Sequence, residues 1–134
     1  RTGHAVITTT HANSCEATYF RMVTLCKMKY DINDDTLYSL VTDAFPIVLF
    51  TQKLEDNTRK VMEITECEIL SDGSRKIHTL YKFNIKENRM ADGKVRITGE
   101  FEKVNSISER LKKRLLENGI PVNLLDKMLK EGDD

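Results

Sequence analysis

The chain has 134 residues, 40% hydrophobic and 31% charged, and its 21 basic and 21 acidic side chains cancel. That length suffices for one core and the composition excludes a disordered chain. No apolar run approaches the roughly 18 residues of a membrane span, which reads as a soluble protein, and the lack of a basic excess argues against a binder of nucleic-acid backbone.

In chain order, Ala5-Val6-Ile7-Thr8-Thr9-Thr10 is β-branched nearly throughout and predicts a buried strand. Its apolar and threonine positions do not alternate, so both faces are expected to be covered, as in a parallel sheet. His11-Ala12-Asn13-Ser14 follows as a polar turn, with Asn13 or Ser14 capping a helix. Glu16 suits its positive end, and Tyr19, Met22, Val23, Cys26 and Tyr30 form its stripe. Asp31 to Asp35 is a polar break. A second helix is expected over Thr36 to Phe45, closed by Pro46.

Ile47 to Phe50 predicts a short strand, Glu55 to Thr58 a turn, and Arg59 to Leu70 the second arm of a hairpin. After Ser71 to Ser74, alternation through Ile77, Thr79, Tyr81, Phe83 and Ile85 predicts a third strand of this group. A longer turn holding Asn88, Asp92 and Gly93 leads to Lys94 to Val104, apolar on one face and charged on the other, as in an antiparallel sheet. Ser106-Ile107-Ser108-Glu109 has the spacing of a capping box, opening a helix that stops at Gly119. Pro121 opens a last helix with Leu124, Leu125, Met128 and Leu129 as its stripe, and 131–134 is expected to fray. The whole of 1–134 reads as one unit of α/β class, α+β in isolation, with an antiparallel meander and two terminal helices.

Cys15, Cys26 and Cys67 are an odd number without paired metal-site or disulfide spacing, and reduced, small buried thiols are the expectation. The chain opens on Arg1 with no charged-then-apolar leader, which reads as a piece of something longer.

The run Arg1-Thr2-Gly3-His4-Ala5-Val6-Ile7-Thr8-Thr9-Thr10-His11-Ala12-Asn13-Ser14 carries the chemistry. It sets a histidine and a string of hydroxyls at the end of a strand, before a helix amino end, where α/β folds collect anionic ligands. Imidazole can donate to a phosphate oxygen in either protonation state. A strand-end histidine bonded to a backbone carbonyl accounts for the same run equally well. His4 and His11, seven positions apart along a strand, point to opposite faces and make a poor metal pair; no metal is expected.

Thr2-Gly3-His4, followed by Thr9-Thr10-His11-Ala12-Asn13-Ser14, resembles the histidine box of the secretion-superfamily ATPases, the motors of type II and type IV secretion, type IV and Tad pilus assembly, and conjugative transfer. Arg21, one helical stretch later, and Arg59-Lys60-Val61 with Ile64-Thr65-Glu66 also resemble that family, so the likeness covers about residues 1–70. It implies the carboxy-terminal part of a RecA-like ATPase domain. The family's GxxxxGK[ST] loop and acidic Walker B strand are absent from the sequence and would lie upstream of Arg1, so this piece alone is expected not to hydrolyse ATP. The interval between His4 and His11 is one residue shorter than in the pilus and conjugation branches, which leaves the branch open.

The resemblance implies that His11, helped by Thr10, approaches the terminal phosphate of ATP opposite the missing loop, with His4 supporting the same site. Asn13 would order the turn; Arg21 and Arg59 would serve structure or subunit contacts, Arg21 alternatively as a surface ion pair. ATP and Mg belong to the intact parent, with neither held tightly by the fragment. A hexameric ring, inner-membrane secretion or pilus partners, and a cytoplasmic position at the inner face of the membrane follow by the same likeness, without membrane insertion or nucleic acid. The competing reading is a non-catalytic interaction module of the same machine. An independent enzyme built on His4 and His11 is disfavoured, since no nucleophile or carboxylate pair stands beside either.

Elsewhere, His78 is expected to be solvated, and Tyr81, Phe83 and Phe101 to be core residues rather than a stacking platform for single-stranded nucleic acid. Lys112-Lys113-Arg114 reads as a wet helix face. Ala5 to Thr10, lacking neighbours, would present an apolar edge that either self-associates or is covered by the chain's own helices.

Overall fold

The structure, a computed structural model, describes residues 5–130. The elements are α1 (Cys15–Lys27), α2 (Asp34–Ala44), β1 (Ile47–Lys53), β2 (Arg59–Ile69), β3 (Arg75–Ala91), β4 (Lys94–Lys103), α3 (Glu109–Glu117) and α4 (Val122–Lys130). Ser14 caps α1 by accepting from the Ala17 amide at 3.0 Å, and Cys15, Tyr19 and Val23, spaced by four, form its buried face. The stripe was expected to continue to Tyr30; α1 stops at Lys27, and Tyr30 is exposed. α2 starts earlier than its apolar spacing suggests. Asn33 caps it, so Asp34 and Asp35 fill the first turn, where carboxylates suit the helix dipole.

The four strands form one sheet in the order β1-β2-β3-β4, every pair antiparallel. No parallel pair occurs among the described residues, and Ala5 to Thr10 is not a strand. It runs exposed ahead of α1, Ile7 at 96% of its full accessibility. β-branching favours a pleated, half-buried surface but cannot create one without a neighbouring strand. The terminal helices do not cover the segment, and that half of the expectation is overturned.

β3 and β4 make a longer ribbon than expected. The link is the two-residue turn Asp92-Gly93, both at positive φ (52° and 71°), a backbone matched to the twist of a hairpin. Asn88, expected in the turn, is paired with Ile97.

α1 and α2 pack on one face of the sheet. Tyr19, Val23, Leu37, Val41 and Cys67 form the core there, with Val48 and Ile77 against it. Glu66, between Thr65 and Cys67 in β2, turns to the opposite face, where its carboxylate accepts from the Ser108 amide at 2.7 Å and from the Ser108 hydroxyl. Ser108, not Ser106, caps α3, its hydroxyl also accepting from the Leu111 amide. The capping box at Ser106 is therefore corrected: the sheet supplies the acidic partner that a local glutamate was expected to supply. Lys103 donates to the Leu129 carbonyl at 2.6 Å, and Leu125 of α4 is fully buried.

Candidate functional site

His11 and Thr10 lie on the exposed segment that enters α1. Among the described residues, no side-chain hydrogen bond or ion pair engages either. The alternative of a strand-end histidine bonded to a carbonyl has no support in this geometry. Four residues on, the Cys15 thiol sits 3.5 Å from the Val48 carbonyl oxygen, which pins the start of α1 to the sheet. Ser14 turns its hydroxyl into the helix, and the Thr18 hydroxyl returns to the Ser14 carbonyl at 2.9 Å. The imidazole thus stands in solvent just ahead of a capped, anchored helix amino end. His4 lies outside the described residues.

Asn13 is exposed in the turn, and Arg21 is exposed on α1. Arg59 opens β2 opposite Lys53 at the tip of the β1–β2 hairpin, where Lys53, Arg59 and Lys60 line a shallow cleft of about 290 Å³. Lys60 also lies 5.7 Å from the centre of the Phe83 ring. The fold therefore places His11, Thr10 and Asn13 in one segment and carries Arg59 to a hairpin tip.

Burial raises the pKa of both Cys15 and Cys67, which keeps them as thiols. The Cys67 sulfur is 3.6 Å from the Thr42 hydroxyl. No group of three or more potential metal ligands occurs among the described residues. No helix there is long and apolar enough to cross a membrane.

Three expectations change. His78 is not solvated: its Nε2 is 2.7 Å from a Glu68 carboxylate oxygen, and both side chains are largely buried. Tyr81, Phe83 and Phe101 are not core. Tyr81 stacks on Phe101 at a centroid distance of 6.1 Å and Phe83 lies tilted against it at 6.4 Å along the ribbon, with Phe101 half exposed. Arg114 is not simply a wet residue, since it donates to the Asp43 carbonyl at 3.1 Å and ties α3 to the end of α2.

Sequence reading missed a cavity of about 220 Å³ between α2, the end of β2 and α3, lined by Thr42, Asp43, Glu66, Cys67, Arg110 and Arg114 among others. Its members come from three separated stretches, so no local spacing announces it. Its polar groups are committed to the fold: Glu66 to Ser108, Arg110 to the Ile69 carbonyl, and Arg114 to Asp43.

No protein-family model matches the chain, and a search of curated proteins finds no match.

Proposed function

We propose that this chain is the carboxy-terminal part of a RecA-like traffic ATPase that powers protein secretion or pilus assembly, and that His11 senses the terminal phosphate of ATP. The observation that carries the reading is the exposed, unengaged imidazole of His11 ahead of the Ser14-capped start of α1, within the run Thr9-Thr10-His11-Ala12-Asn13-Ser14. An imidazole N–H at that place donates to a phosphate oxygen, and the oriented amides of the helix start favour the same charge. Thr10 adds a hydroxyl donor.

The sequence has no GxxxxGK[ST] loop, so the groups that hold the nucleotide and Mg come, on this reading, from residues ahead of Arg1. The chain contributes a donor to the phosphate and a helix, anchored at Cys15, through which its presence reaches the core. A hexameric ring, membrane-bound secretion or pilus partners, and a cytoplasmic site at the inner face of the membrane belong to the same proposal.

The test is ATP turnover by the full-length protein with His11→Ala, beside nucleotide binding by the same variant. Turnover should fall about 100-fold or more, the effect of removing one preorganised donor, with binding changed only a few-fold. Unchanged turnover would make His11 structural. The half-exposed apolar strip of Phe101, Ile85 and Met90 on the ribbon would then favour a non-catalytic interaction module.

A further inference from the structure

We propose that the outer edge of β1 accepts a β-strand, and that the strand is the Ala5–Thr10 segment of a second copy of this chain. β1 stands at the end of the sheet, paired on one side by β2. Pro46 accepts from the Cys67 amide across that pair. By the alternation of an antiparallel ladder, the main-chain groups of Val48 face β2 and those of Ile47 and Leu49 face outward. The edge carries few of the features that discourage pairing. From Ile47 to Phe50 it is wholly apolar, without proline or charge, and its bulge comes only between Phe50 and Thr51.

Ala5 to Thr10 is the complementary half. Five of its six residues are β-branched, none is charged, and none is glycine or proline. It has no ladder among the described residues, and Val6 and Ile7 are 57% and 96% exposed. Six extended residues span about 20 Å, close to the reach of the seven-residue β1. The root of the segment is also in the right place. Cys15 lies against Val48, so donor and acceptor are on the same region of the molecule. That is the arrangement a two-fold pair needs, because each copy gives and receives a strand at one interface. The inference does not depend on the nucleotide reading.

Sedimentation equilibrium of the chain over a wide concentration range tests it. The expected result is a reversible dimer, weakened at least about tenfold by Ile7→Pro or by Val6→Pro, since adjacent residues alternate and one of the two N–H groups faces the acceptor, and likewise by Leu49→Pro on the acceptor. Ile7 lies outside every helix and strand, so its variant should keep the parent's circular dichroism and melting temperature. An excess of a peptide spanning residues 5–10 should dissociate the dimer. A monomer at all concentrations overturns the proposal. So does a dimer that Val6→Pro, Ile7→Pro and the peptide all leave intact, which would move the interface to another surface, such as the exposed Phe20 and Leu25 of α1.

Discussion

Tyr19 shows how one side chain can link packing to solution behaviour. Its ring is buried in the α1 face of the core, and its hydroxyl donates to the Phe45 carbonyl at 2.6 Å, just after α2. Burial pushes its pKa well above the ordinary 10.0, as burial also raises Cys15 and Cys67 above 9.0. All three groups are neutral in the fold at pH values where their unfolded counterparts ionise. Their stabilisation is therefore complete below about pH 9 and is lost as pH rises above it. The melting temperature should fall on the alkaline side, starting near pH 9. Tyr19→Phe should lower stability at neutral pH by about 1–3 kcal/mol, through the unpaired Phe45 carbonyl, while making the alkaline fall shallower. A variant with an unaltered alkaline limb would show that the phenol is not part of it.

Among the elements, the β3–β4 ribbon depends on Gly99. It faces Ile85 across the ribbon, and a Cβ there would overlap the Asn84 carbonyl oxygen and lie 2.8 Å from the Phe83 ring. The first of these contacts is backbone and cannot rotate away. Gly99→Ala should cost about 1–3 kcal/mol by overpacking, measured by urea unfolding, and should spread the Phe83 and Phe101 rings. A neutral substitution would mean that the ribbon yields at the neighbouring irregularity between Ile85 and Glu87. The helices respond to local signals in a different way. α1 was legible from Ser14 and its four-residue spacing. The start of α3 was not, because Ser106 and Ser108 are both credible caps in sequence, and Glu66, about 40 residues away, decides between them.

For the molecule as a whole, that same carboxylate joins two halves of the chain. α1 and α2 cover one face of the sheet, while Glu66 on the other holds the start of α3, with Arg114 and Lys103 as further ties. Glu66→Ala leaves the Ser108 amide without that partner and should cost roughly 1–3 kcal/mol. Hydrogen exchange should locate the effect, with protection falling over residues 108–130 more than in the α1–α2 core. A uniform loss across the chain would show instead that both halves unfold as one unit.

The sequence by itself determined the four helices and the antiparallel meander of the described residues, because capping side chains, helical spacing and two-residue alternation are set by neighbours along the chain. It placed α2 and the Asp92-Gly93 turn inexactly, since acidic first turns and long polar strands look like loops. Only the tertiary structure decided that Ala5 to Thr10 finds no partner strand among the described residues of its own chain, that Glu66 rather than a local glutamate anchors Ser108, and that His78 meets Glu68. In each case the deciding partner, or its absence, is set by how strands and helices meet rather than by adjacent residues. A strand needs a neighbour, and a buried carboxylate takes whatever donor the fold brings to it.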